Sequence, residues 1–270
     1  MASTDYILGT HQEELERLGF QHRVWADDAH RLWKLARFRN GQDLLDLGCG
    51  PGFTTFDMAE IAGRHGSTTG IDKSSDYIAY AQHKAQAMGM EHASFTCAEF
   101  KTMELPTLAF DGAYARWVFS WTNDVDIALE KVYRSLRPGG VFALQEYIHW
   151  GTFRMVPEHP DVKVMIEACR ESWRQMDSEI DIANSLTEKL EKVGFKITHI
   201  APLERTARPG DLTWQWPTSF LRIYGRQLIE LGLLTEAQWE RYNEVLPEIE
   251  KKKGAFIVTP LMVEILAVKV

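Results

Sequence analysis

The densest chemical signal in the chain is Asp46-x-Gly48-x-Gly50-x-Gly52. Leu44, Leu45 and Leu47 make the stretch before it apolar, with one acid inside. Phe53, Phe56 and Ala59 then recur at helical spacing. That order reads as buried strand, tight turn, helix. A turn without Cβ atoms lets a ligand lie against the backbone. The helix behind it adds free N–H groups and a positive dipole end. Asp72 follows a short strand at 68–71, roughly 20 residues beyond the turn, where a carboxylate can accept two hydrogen bonds from a ribose diol. The dinucleotide fingerprint wants a third glycine where Phe53 stands, and there is no phosphate-loop Gly-Lys-Ser/Thr.

The elements that must position these residues follow in order. Residues 11–37 read as helical, with Leu15 and Leu18 on one turn, Trp25, Ala29, Leu32 and Ala36 on a longer face, and Gly19 as a break between them. After Asp72, Ser74 or Ser75 caps a helix with Ile78, Ala81, Ala85 and Met88 on its buried stripe, and Gly89 stops it. A third strand runs over 93–96 and a fourth over 110–117. Asn123 caps the next helix, Arg137-Pro138-Gly139-Gly140 ends it, and Val141 opens a fifth strand. Alternating strands and helices predict a parallel sheet.

From the glycine turn to about residue 147 this pattern resembles the class I S-adenosylmethionine (SAM)-dependent methyltransferases. Their first motif is a D-x-G-x-G-x-G turn, and Asp111-Gly112-Ala113 with Leu136-Arg137-Pro138-Gly139-Gly140 looks like their later motifs. The resemblance implies a Rossmann-like, doubly wound α/β sheet of seven strands, mostly parallel with the last antiparallel, carrying helical lid insertions. It implies SAM as cofactor and S-adenosylhomocysteine as product. Asp46, Gly48, Cys49, Gly50 and Gly52 would line the amino-acid end of SAM. Asp72 would bind ribose, with Lys73 beside adenine, and Arg116 would approach by its main chain. The family commonly places an Asp on the adenine amino group. Cys97 stands there instead, so Cys97, Ala98 and Glu99 would line adenine, chiefly through backbone around Ala98. Tyr6-Ile7-Leu8-Gly9 and Arg17-Leu18-Gly19-Phe20-Gln21 resemble an arm folding over SAM, with Tyr6 and Gln21 on the cofactor. The alternative is a docking helix.

The implied organisation is an arm over 1–40, a SAM-binding core over 41–149, a helical lid insertion over 150–184, and a C-terminal part over 185–270 with its own helical insertion at 205–254. In the last part, Ser185-x-x-Glu188 reads as a capping box, 195–200 as a strand, 212–231 and 235–252 as helices, and 256–270 as the final strand. Some fifty residues between the last two strands are far too many for a hairpin loop.

Methyl transfer from a sulfonium needs its reactants held in line. His149, at the end of the fifth strand, is the candidate base, with an unperturbed pKa near ~6.5; the alternative is a surface histidine. Trp117 would approach the substrate. Trp121, Trp150, Trp173, Trp214, Trp216, Phe220 and Tyr224 suit an apolar pocket, a cage for a cation, or simple core packing.

Composition narrows the classes. The net charge is −8 over 270 residues, with a pI near 5.6, which argues against a general polyanion surface. Ala115-Arg116-Trp117-Val118 replaces the Pro-Pro-aromatic signature of DNA amino-methylating enzymes, so no nucleic acid partner is expected. No run of residues reads as a signal peptide or a membrane span. Three dispersed cysteines fit a reducing cytoplasm and offer no metal spacing. The expected partner is a small molecule, aromatic or hydrophobic. Two other readings stay open: a SAM-binding regulator without turnover, which the Cys97 departure favours, and an NAD-dependent oxidoreductase, which Phe53 disfavours.

Overall fold

The computed structural model describes residues 12–176 and 178–270. Tyr6 lies outside them.

Strand β1 (Asp43–Leu47) lies inside the sheet. β2 (Ser67–Asp72) and β4 (Phe110–Arg116) flank it, both parallel to it. β3 (Ala93–Cys97) pairs parallel beyond β2, and β5 (Leu136–His149) parallel beyond β4. β10 (Leu261–Lys269) lies antiparallel between β5 and the edge strand β7 (Phe195–Leu203). The doubly wound, seven-stranded sheet is therefore the one expected.

Strand alternation sorts the core onto two faces. Leu44 and Tyr114 turn toward α1 (Gln12–Leu35) and α2 (Phe53–Ala62), where they meet Trp33, Leu32 and Met58. Leu45, Leu47, Ala113 and Ala115 turn toward α4 (Val125–Ser135) and α6 (Ala183–Val193), against Leu129, Val132, Leu186 and Leu190. α3 (Ser75–Met88) packs Ile78, Ala81 and Ala85 against Phe56 and Phe95. Ser74 caps it, accepting from Tyr77 N, and Gly89 ends it in a left-handed conformation.

The remaining elements build the roof over the sheet's carboxyl edge. They are the short strands β6 (Arg154–Val156), β8 (Thr206–Ala207) and β9 (Phe256–Val258), joined as one small sheet, and the helices α5 (Pro160–Gln175), α7 (Leu212–Glu230) and α8 (Glu236–Glu250). They share a core with Trp25 of α1 and with Trp117, Trp150, Trp173, Trp214, Trp216 and Tyr224. Arg205 ties arm to roof. Its Nη1 donates to Val24 O at 2.7 Å, its Nη2 pairs with Asp28, and its guanidinium lies 4.5 Å from the Trp25 ring centre.

Four local expectations are corrected. Gly19 does not break the first helix; α1 runs through it. A Cβ there would sit 3.0 Å from the Phe53 ring, so the glycine lets arm and α2 approach closely. Asp124, not Asn123, is the N-cap of α4, and it makes no side-chain cap bond. α6 begins before Ser185, whose hydroxyl donates back to Ile182 O inside the helix, so no capping box opens it. The stretch 256–270 is two strands, because β9 pairs with β6 and β8 before β10 joins the main sheet.

Candidate active site

A cavity of about 740 Å³ runs along the carboxyl ends of β1, β2, β4 and β5, under α1 and α7. Open α/β sheets place ligands there. One end is polar and built on the glycine turn. Gly48, Gly50 and Gly52 all have left-handed φ, at 65°, 53° and 84°. At Gly48 an added Cβ would fall 2.5 Å from Val118 Cγ2.

Asp46 sits beneath this turn. Its Oδ2 accepts from the Thr54 and Thr55 hydroxyls, each at 2.6 Å. Burial pushes its carboxyl up to about 6, against the pull of those bonds and of the nearby Arg116 charge. Asp72 closes the turn from the side. Its Oδ2 accepts from Gly50 N at 2.8 Å and its Oδ1 from Ser74 N at 2.9 Å, while burial raises its pKa. The carboxylate thus fixes both the glycine turn and the start of α3.

The other end is aromatic. Trp117 has a left-handed φ of 52°, rare for a bulky residue. It stacks on Trp216 at 5.3 Å and Tyr147 at 5.8 Å, and Trp25 meets it edge-on at 5.7 Å. Trp173 lies 4.5 Å from Trp121 and 6.3 Å from Trp150. A buried carboxyl holds the strained exit of β4: Glu146 Oε1 accepts from Val118 N at 2.7 Å and Phe119 N at 2.9 Å. Desolvation pushes Glu146 up to about 8, and its Oε2 has no partner.

A family model described as a methyltransferase domain matches residues 38–201. The chain belongs to the class I SAM-dependent methyltransferases. Sterol 24-C-methyltransferase erg6 of Aspergillus fumigatus is 25% identical over 198 residues, 73% of this chain and 50% of that protein. Methyltransferase phqN of Penicillium fellutanum is 27% identical over 208 residues, 76% of this chain and 61% of that one. The chain spans about half the length of the sterol methyltransferases it matches. Among solved structures, the 4+2 cyclase SpnF aligns with a TM-score of 0.54 at 21% identity, covering 91% of this chain and 82% of that one. A Haemonchus contortus phosphoethanolamine N-methyltransferase 2 complex with S-adenosylhomocysteine aligns at 0.55 and 18%, covering 87% and 51%. Both likenesses concern the fold.

The methyltransferase cavity gathers most of the expected residues. Gln21, Asp46, Gly48, Cys49, Gly50, Asp72, Lys73, Ala98, Glu99, Arg116 and Trp117 line it. Three others do not. Gly52 faces Phe95 and Ala81, so its missing Cβ serves packing. Cys97 points its thiol at Lys73 O, 3.4 Å away. His149 is turned out: its side chain is 58% exposed, with Nδ1 3.8 Å from Asp181, because β5 ends there and the next turn carries Trp150 inward instead. The Ala98 N–H is already given to Asp72 O, which leaves Glu99 and Lys73 as polar side chains lining that end.

Sequence reasoning missed the roof's polar seam. Arg17, buried in α1, donates to both Glu14 oxygens and, through Nη1 at 2.9 Å, to Gln21 Oε1, which also accepts from Trp216 Nε1. The spacing Glu14-x-x-Arg17-x-x-x-Gln21 puts all three on one helix face and was the available signal. Glu146 was also legible, as the acid inside an apolar strand.

The residues present fit SAM. A side-chain-free turn, a carboxylate at the next strand end, and a cavity that turns aromatic beyond them suit a nucleoside with a cationic, amino-acid-bearing tail. Gly48→Ala should therefore damage the methyltransferase twice. A left-handed Ala costs about 1–2 kcal/mol, and its methyl collides with Val118. The expected result is a melting temperature several degrees lower and weakened S-adenosylhomocysteine binding, with Val118→Ala restoring part of the stability. An unchanged melting curve would show the turn is not held as described.

Proposed function

We propose that the protein transfers a methyl group from SAM to a small, apolar or aromatic acceptor. The observation that carries this is the continuity of one cavity from Asp72 and the glycine turn to the wall of Trp117, Trp121, Tyr147, Trp150, Trp173 and Trp216. When bound, SAM supplies a sulfonium methyl that an acceptor nucleophile takes by in-line displacement. The chain's own part is to bind, orient and exclude water. Asp72 offers acceptors to a ribose diol. The aromatic faces favour positive charge and an apolar acceptor together.

The groups facing the acceptor support orientation over a resident base. Burial raises the Tyr147 phenol, so it stays protonated. Glu146 lies outside the lining and is spent on backbone. Asp124, at the rim, pairs with Lys101 at 3.2 Å. That leaves proximity and desolvation as the working terms. The similarity to sterol 24-C-methyltransferases supports an acceptor of low mass. The three cysteines are free thiols, which supports a cytoplasmic setting. No helix among the described residues is long and apolar enough to cross a membrane.

The fold alone does not fix the reaction; the SpnF likeness is to a cyclase. The test is transfer of label from methyl-labelled SAM into separate pools of apolar metabolites, protein and RNA. Label in the metabolite pool is expected. Label only in protein or RNA would refute the acceptor class, and tight SAM binding without any transfer would favour the non-catalytic reading.

A further inference from the structure

Arg116 ends β4 on the Tyr114 face of the sheet, above Asp46. Its guanidinium carbon lies 5.1 Å from the Trp117 ring centre. Its Nη1 is buried and has no hydrogen-bond partner. Among the described residues it makes no ion pair, in contrast with Arg17, Arg31, Arg137 and Arg205, each of which holds a carboxylate. Asp46, beneath it, feels its charge but gives Oδ2 to Thr54 and Thr55 and makes no ion pair with it. A guanidinium donor left unpaired in a buried place is costly. Here it borders the cavity beside Gly48.

We propose that the Arg116 side chain binds a carboxylate, and that this is the α-carboxylate of the cofactor's amino-acid tail. The assignment rests on the methyltransferase reading. Arg116 shares its wall with Asp46 and the glycine turn, at the cofactor end, and its planar fork matches a carboxylate's two oxygens. Trp117, against which the guanidinium lies, begins the aromatic wall. Arg116 therefore fixes where the tail stops and the acceptor space begins. A carboxylate on the acceptor is the other source of the same chemistry, and binding without acceptor separates the two.

Calorimetric titration of the full chain, with no acceptor, uses two ligands: S-adenosylhomocysteine and its decarboxylated analogue. The wild type and the variants Arg116→Met and Arg116→Lys are compared. The wild type is expected to prefer the carboxylated ligand by about tenfold to a hundredfold, the scale of a charge-assisted bond. Arg116→Met should lose that preference while binding the decarboxylated analogue unchanged, which also reports that it is folded. Arg116→Lys, keeping charge without the fork, should retain part of it. Equal weakening of both ligands, or an undiminished preference in both variants, would overturn the assignment. Should Arg116→Met not fold, the lysine variant decides alone. Failure of the wild type to bind either ligand would remove the proposed function and this assignment together, whereas binding with no preference removes only the assignment.

Discussion

Replacing Asp72 with alanine should abolish measurable methyl transfer and weaken S-adenosylhomocysteine binding by at least about a hundredfold. Two losses combine. A carboxylate facing a ribose diol makes charge-assisted hydrogen bonds of about 1.5–3 kcal/mol each. The same carboxylate accepts from Gly50 N and Ser74 N, so its removal also frees the glycine turn and the start of α3. Asp72→Asn, which keeps one acceptor oxygen, should fall between. Calorimetry with the product nucleoside reads the effect, and thermal unfolding reports whether the variant remains folded. Undiminished affinity in a folded Asp72→Ala protein would mean the ribose is held elsewhere, and the site reading would fail with it.

The second large effect concerns Glu146. Glu146→Ala strips the Val118 and Phe119 amides of their acceptor in a fully buried place. Each orphaned donor costs about 1–3 kcal/mol, so a loss of roughly 2–5 kcal/mol is expected in denaturant unfolding, along with slower turnover as Trp117 loses its seat. Glu146→Gln keeps the accepting oxygen and should be nearly as stable as the wild type. The pH dependence separates the two roles. The carboxyl holds its proton up to about pH 8 when folded, against an ordinary value near ~4.3 when unfolded. Between those limits the folded state binds more protons, so stability falls as pH rises, by up to about 1.4 kcal/mol per unit. Asp46, pushed up to about 6, adds a slope of the same sign only at lower pH. Glu146→Gln should therefore flatten the slope between pH 6 and 8. An identical slope in that variant would place the ionisation on another group.

The polar end of the cavity was legible because its residues are local in sequence. Asp46, the glycines and Asp72 are spaced by one strand–turn–helix–strand unit, and backbone geometry alone brings them together. What failed depended on partners distant in sequence. Gly19 reads as a helix break until Phe53, brought alongside by α2, explains the missing Cβ. His149 has the right chemistry for a base, but where β5 ends decides which way it points. Gly52 shares the motif's conformation, yet it answers to Phe95 rather than to ligand. The aromatic wall was visible as a count of tryptophans; which of them face a cavity and which, like Trp214 on Glu250, fill the roof is set by packing between α1, α7 and α8.

The interior position of β10 governs how the molecule is made. β5 and β7 do not pair with each other; β10 pairs with both, and it follows β7 only after β8, α7, α8 and β9. A nascent polypeptide leaving the ribosome carries two bare strand edges until that segment emerges, and such edges template aggregation. Removing Leu261–Lys269 would split β7 from the sheet rather than trim an edge.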